Sequence, residues 1–187
     1  MLQWIEKNLL WLGITFLILG LLAGGGIYMV IVKSRKEFVD KMKPIALKIR
    51  DKYGIQTNIT ITQSAHESGW GMSKLTREAN NLFGFTATDS WIKEGKPVYN
   101  IETKEYIRGA WVTLKRPFRK YKSWDDSVDD WAKIISGLTR YSEAYRYAHT
   151  GDIANYGIAV QKGGYATDPQ YAKKLASLGK TVEGMLV

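Results

Sequence analysis

From Leu9 to Val32 the chain reads LLWLGITFLILGLLAGGGIYMVIV, 24 residues without a charged side chain. At about 1.5 Å of rise per helical residue, such a run covers the roughly 30 Å hydrocarbon core of a bilayer. Trp4, Trp11 and Tyr28 lie near its ends, where amphipathic rings prefer the interface, and Lys33, Arg35 and Lys36 follow at once. The stretch exceeds the apolar region of a signal peptide and no small-x-small cleavage site stands out after it, so an uncleaved transmembrane helix is expected rather than a leader. The glycines Gly24, Gly25 and Gly26 suit either close helix packing or a loosening of the span. The expected organisation is a flank over 1–8, a transmembrane helix over 9–32, a basic juxtamembrane segment that begins the first helix over 33–43, and one domain over 44–187.

Setting that block aside leaves about 150 residues, enough for one domain that buries roughly 70% of its unfolded surface and too few for two. The whole chain carries a formal charge of +9, and because the block holds only Glu6 and Lys7, the excess belongs to the remainder. A balance of this sign favours polyanionic surroundings: nucleic acid, an anionic membrane face, or a bacterial wall bearing carboxylates and phosphates. With no cysteine, disulfides, thiolate catalysis and cysteine zinc sites are excluded.

Phe38, Met42, Ile45, Ala46 and Ile49 recur at helical spacing, predicting a first amphipathic helix from Lys36 to Lys52 with Gly54 as C-cap. Thr57 or Asn58 can cap a second helix, Ile59 to Ser68, which stops at the glycines of SGWG and so leaves Glu67 at a helix end. The β-rich runs 97–107 and 111–121 flank Arg108-Gly109-Ala110 and read as a hairpin. Ser123 and Asp126 form a capping pattern for a helix with Trp124, Val128, Trp131, Ala132, Ile135 and Leu138 on one face and Gly137 near its end. Further helices are expected over Glu143–His149, Ile153–Gln161 and Asp168–Gly179, with GGYATDP as a connecting loop. The fold class is α+β, mainly helical with one small β-hairpin.

Most reaction classes fail on residue inventory. His66 and His149 lack metal-ligand spacing, and neither a nucleophile elbow nor a phosphate-cradling loop is present. Acidic groups remain, and cleaving a glycosidic bond requires a carboxylic acid that can protonate the leaving oxygen. Glu67 qualifies because Trp70, Leu82, Phe83 and Phe85 follow closely and can wall it in, and because a helix C-terminus disfavours a negative charge. The bland alternative is a surface glutamate.

The stretch Gln63-Ser64-Ala65-His66-Glu67-Ser68-Gly69-Trp70-Gly71, followed by Asn80-Asn81-Leu82-Phe83-Gly84-Phe85, resembles glycoside hydrolase family 73, the flagellar- and autolysin-type endo-β-N-acetylglucosaminidases. The likeness continues through Thr103-Lys104-Glu105-Tyr106, Phe118-Arg119-Lys120-Tyr121 and Gly164-Tyr165-Ala166-Thr167-Asp168-Pro169, spanning Pro44 to Gly179. An E-S-x-x-G element alone is only moderately specific, since lytic transglycosylases also carry it; the ordered series is what distinguishes the chain. The resemblance implies a lysozyme-like domain with a helical lobe holding Glu67 as catalytic acid and a hairpin lobe facing it across a glycan groove.

In that frame Glu105 matches the family's second carboxylate, which activates water or steadies positive charge at the sugar. Glu102, three residues away, points to the opposite strand face and competes for the role. Carboxyl separations of roughly 6.5–9.5 Å and about 5–5.5 Å distinguish inverting from retaining enzymes, so both outcomes stay open, as does participation of the substrate's N-acetyl group. Tyr165 matches a tyrosine near the acid that can orient water or the acetamido group; packing is its plain alternative. Trp70, Phe85, Trp91 and Tyr121 can stack on sugar faces, and Asn81 can bond an acetamido group or cap its loop. His66 stands where the family usually has an aliphatic residue.

The cluster Asp125, Asp126, Asp129 and Asp130 reads as ordinary partners of a helix N-terminus rather than a metal site. No cofactor or metal is expected. The expected partners are peptidoglycan glycan strands and the lipid bilayer through 9–32. Nucleic acid is not expected, because the basic residues are scattered rather than lined along one element. A lytic transglycosylase or muramidase using the same acid is the rival activity, and an inactive wall-binding membrane protein the non-enzymatic one. Basic residues after the span favour a cytoplasmic domain, away from any wall. A lysis or entry enzyme of a membrane-containing bacteriophage, carried in the virion membrane rather than the bacterial inner membrane, would reconcile the two.

Overall fold

The computed structural model describes residues 26–107 and 110–187, with side chains over 34–102 and 113–187. The span expected over 9–32 lies outside this part apart from residues 26–32; among the described residues no helix is long and apolar enough to cross a membrane. By contacts the chain divides into Met1–Glu37 and Phe38–Val187. Of the first unit, the described part is the start of helix α1, Gly26–Tyr53.

In the second unit α1 presents Phe38, Val39, Met42, Ile45, Ala46 and Ile49 to the core, one stripe at helical spacing. Each of the larger side chains contributes roughly 1.5–3 kcal/mol of burial against exposure. Pro44 stands inside the helix on its exposed side, where the missing N–H costs no buried donor. Gly54 then reverses the chain at φ +71° with its N–H on the Arg50 carbonyl at 2.8 Å. Only glycine fits, because a Cβ there would lie 2.6 Å from Nε2 of His149.

Helix α2, Thr57–Ser68, is buried almost all round: Ile59, Thr60, Ile61, Thr62, Gln63, Ser64 and Ala65 are all inside. Its N-cap is Gln56, not the expected Thr57 or Asn58. The Asn58 amide instead reaches the Gly151 carbonyl at 2.8 Å and Glu183 at 3.0 Å, tying α2 to later helices.

Two short helices escape periodicity analysis, α3 (Lys74–Ala79) and α4 (Asp89–Lys93), each capped by a hydroxyl, Ser73 on the Thr76 N–H and Thr88 on the Trp91 N–H. Strands β1 (Val98–Ile107) and β2 (Ala110–Arg119) pair antiparallel from Val98 opposite Arg119 to Ile107 opposite Ala110. The expected turn residues Arg108 and Gly109 lie outside the described residues. The segment Phe85–Ala87 runs along β2, with the Ala87 N–H on Pro117 O and the Arg119 N–H on Phe85 O, both at 2.9 Å.

Helix α5, Trp124–Gly137, starts as expected with Ser123 accepting from the Asp126 N–H at 3.2 Å. A 3-10 turn over Thr139–Tyr141 leads into α6 (Ser142–Thr150), α7 (Ile153–Lys162) and α8 (Tyr171–Leu186). The last helix begins three residues later than the sequence suggested, because Asp168 closes the preceding loop: its carboxylate accepts from the Gln170 N–H and its carbonyl from Gln161 and the Tyr171 N–H. Helices α6, α7 and α8 pack in succession, and α2 lies against α8. At the centre, fully buried Trp131 stacks on Phe83 at 5.1 Å with an interplanar angle of 5°.

Candidate active site

Glu67 occupies the last turn of α2, half-buried, two residues before the first of three successive residues with positive φ: Gly69 (57°), Trp70 (60°) and Gly71 (79°). The two glycines take this conformation without strain, whereas at Trp70 it costs on the order of 1–3 kcal/mol. The turn is held by Ser68, whose hydroxyl donates to the Ser64 carbonyl at 2.6 Å and accepts from the Gly71 N–H at 2.7 Å. The Trp70 ring meets the edge of Phe38 at 5.8 Å, and a Cβ on Gly71 would collide with Trp124 at 2.8 Å. The helix end that carries Glu67 is therefore packed rather than frayed.

Three tyrosines surround this carboxylate from α7, from the loop after it and from α8. The Tyr171 hydroxyl donates to Oε1 of Glu67 at 2.7 Å. Burial first, and the Glu67 charge second, push the hydroxyls of Tyr156, Tyr165 and Tyr171 well above the usual phenol range, so all three stay neutral donors. Tyr165 is half-buried as a residue, yet its hydroxyl oxygen is shielded and has no hydrogen-bond partner. A buried hydroxyl lacking a partner near a carboxylate is a place where water or a ligand's polar group gains a bond. His66 packs edge-on against Tyr171 at 5.2 Å; burial, then the charge of Lys174, lowers its basicity, against an opposing pull from Asp168.

The remaining sequence candidates fall into two groups. Phe85 is half-buried between Phe83 at 5.8 Å and Tyr165 at 6.5 Å, on the same side as the tyrosines. Trp91 is also half-buried, anchored by its indole N–H on the Pro97 carbonyl at 3.0 Å and flanked by the Arg119 guanidinium at 4.8 Å. Two expectations need correction. Tyr121 lies beneath Trp91, buried, with its hydroxyl donating to Asp130 at 2.6 Å, so its ring is not open to a sugar. Asn81 is 1% exposed and its amide staples the NNLFGF loop, donating to the Phe85 carbonyl at 2.9 Å and the Arg119 carbonyl at 2.8 Å and accepting from the Phe85 N–H at 3.1 Å. The loop-capping alternative describes it, because no face of the amide reaches the surface.

Glu105 pairs with Val112 in the hairpin register, and its side chain lies outside the described residues. Glu102 sits opposite Lys115 and forms an exposed ion pair with it at 3.7 Å. The acidic residues of α5 each find a cation or hydroxyl: Asp125 with Lys48, Asp126 with Ser123, Asp129 with Lys52, Lys133 and Tyr53, Asp130 with Arg119 and Tyr121. Among the described residues no group of three or more acidic, histidine or cysteine side chains is placed to hold a metal ion.

Sequence reasoning did not single out Gln63 and Tyr171. Gln63 is fully buried, accepts from the Trp131 indole N–H at 3.1 Å and from the Tyr156 hydroxyl, and donates to the Tyr171 hydroxyl at 3.1 Å. A long polar residue on the inward face of a helix, 68 positions from the tryptophan it bonds, leaves no periodic signal; its position four residues before Glu67, on the same helix face, was the available one.

Residues 43–183 match the family profile described as mannosyl-glycoprotein endo-beta-N-acetylglucosaminidase. The chain is 36% identical over 156 residues to the peptidoglycan hydrolase FlgJ of Vibrio cholerae, covering 81% of this chain and 45% of that protein. It is 34% identical over 150 residues to the exo-glucosaminidase LytG of Bacillus subtilis, covering 79% and 51% respectively. The match thus spans about half the length of these relatives. Among solved structures, a C-terminally truncated glycoside hydrolase domain of FlgJ from Salmonella typhimurium superposes with a TM-score of 0.69 at 32% identity, covering 80% of this chain and 98% of that one. A peptidoglycan hydrolase mutant from Sphingomonas sp. A1 does so with a TM-score of 0.65 at 32% identity, covering 81% and 97%.

Proposed function

From the premise that this chain belongs to the glucosaminidase family of glycoside hydrolases, we propose that it cleaves β-1,4 glycosidic bonds of peptidoglycan strands, with Glu67 as general acid. The observation that carries the reading is the half-buried carboxyl of Glu67 at a packed helix end, hydrogen-bonded by Tyr171 at 2.7 Å and faced by neutral tyrosines. A carboxyl shielded in this way hands its proton to the leaving oxygen, while the oxocarbenium-like sugar is met by water or a second carboxylate. Glu105 is that second carboxylate in this proposal. The Tyr165 hydroxyl orients the attacking water or the acetamido oxygen, and Trp70, Phe85 and Trp91 offer rings to the sugar faces.

Residues 9–32 anchor the domain to a bilayer, on the strength of their 24 uncharged residues. A virion membrane is the setting in which the basic residues that follow do not hold the domain away from the wall. Protease protection of the domain in intact particles tests this placement, and a domain confined to the cytoplasm overturns it.

The activity itself is tested by mass spectrometry of digested muropeptides. Reducing N-acetylglucosamine ends are expected; 1,6-anhydromuramic ends would assign a lytic transglycosylase, and reducing N-acetylmuramic ends a muramidase. Glu67→Gln is expected to lose the roughly 10²–10⁴-fold that a positioned acid supplies, with an unchanged melting temperature. Parental turnover in that variant would remove Glu67 from the mechanism.

A further inference from the structure

The buried polar line behind Glu67 has a direction. The Trp131 indole N–H can only donate, and it points at one end of the Gln63 amide at 3.1 Å. That end must be the carbonyl oxygen, which also receives the Tyr156 hydroxyl. The other end is then the NH₂, and it donates to the Tyr171 oxygen at 3.1 Å. With Gln63 donating into it, the Tyr171 hydroxyl turns its own proton outward, onto Oε1 of Glu67 at 2.7 Å. Every link is shielded: Trp131, Gln63 and Tyr156 are fully buried and Tyr171 nearly so. In such surroundings a hydrogen bond is stronger, and a reversed or missing one more costly, than in water.

We propose that Gln63 and Tyr171 are positioning residues that form a one-way hydrogen-bond chain, fixing Oε1 of Glu67 as an acceptor so that its transferable proton resides on Oε2. The inference rests on the reading of Glu67 as the acid. A chain of this polarity does two things for an acid catalyst. It holds the carboxyl in one rotamer, and it prevents the proton from settling on the oxygen that faces the protein interior. It also favours the ionised carboxylate, because a donor to Oε1 is retained when the proton leaves. The described elements turn Tyr156, Tyr165 and Tyr171 toward this carboxylate, with His66 against the Tyr171 ring and the charges of Lys174 and Asp168 acting on His66.

The test is the pH dependence of kcat/KM for peptidoglycan hydrolysis by the full chain, comparing the parent with Tyr171→Phe, Gln63→Met and the double variant, and with Glu67→Gln as control. Tyr171→Phe removes the hydroxyl that donates to Oε1 of Glu67 and accepts from Gln63, so the alkaline limb is expected to move upward by about half to one pH unit, the range of one charge-assisted hydrogen bond partly replaced by water. Gln63→Met should move the limb the same way, and the double variant no further than Tyr171→Phe, because both cut one chain. A purely structural role would lower the folded fraction and leave the limb in place. An unmoved limb in Tyr171→Phe, with Glu67→Gln inactive, overturns the inference alone. Activity retained in Glu67→Gln overturns the functional reading beneath it. Should Gln63→Met not fold, Tyr171→Phe decides by itself.

Discussion

Asp130 joins the hairpin to the helical body, and its removal makes a quantitative test of how that lobe is held. One carboxylate oxygen receives Nη1 of Arg119 and the Tyr121 hydroxyl, each at 2.6 Å, with the Arg119 and Asp130 side chains 16% and 22% exposed. Arg119 closes β2 and lies over the rings of Phe85 and Trp91, so its guanidinium cannot swing into water without giving up both. Asp130→Ala therefore strands a mostly buried cation and a buried hydroxyl. Breaking a fully buried ion pair costs about 3–5 kcal/mol; with a fifth of each group still in solvent, about 2–3 kcal/mol is expected here. For a domain of this size that is a fall in Tm of about 5–10 °C. Urea unfolding with a shared m-value supplies the measurement. Because the penalty comes from the orphaned charge, adding Arg119→Met in the Asp130→Ala background should recover part of it. A loss under about 0.5 kcal/mol, or no recovery in the double variant, refutes the reasoning.

Two further outcomes concern stability. Burial works against the Asp129 charge, but bonds from Lys133, Lys52 and Tyr53 outweigh it and hold the carboxyl down at about 2. Its contribution, about 1–2 kcal/mol after discounting for exposure, is present above the ordinary carboxylate range near 4 and lost as pH falls through 2. Thermal melts between about pH 5 and 2 should show a shallower acid decline for Asp129→Asn than for the parent. Gly54→Ala combines a left-handed backbone with a Cβ 2.6 Å from His149, and is expected to cost about 2–3 kcal/mol in denaturant unfolding.

Much of the architecture was legible because its signals are local. The stripe Phe38, Met42, Ile45, Ile49 announced α1, the Ser123–Asp126 box announced α5, and the glycines of SGWG announced where α2 must stop. The short helices α3 and α4 were missed because one or two turns carry no periodicity; only their hydroxyl caps mark them. At the candidate site, the place of Glu67 at a helix end was readable from the glycines that follow it. The roles of Tyr121 and Asn81 were not, since an aromatic or an amide reads alike whether it faces a ligand or a buried aspartate and a loop carbonyl. Gln63 and Tyr171 stand 108 positions apart, and nothing in the order of residues announces that their side chains meet.

The burial of α2 on nearly every side has a bearing on how this protein fails. The helix that presents Glu67 also packs against α7 and α8, so the carboxyl has no hinge of its own. Heat or denaturant cannot loosen Glu67 and spare the body, and enzymatic inactivation should coincide with global melting rather than precede it.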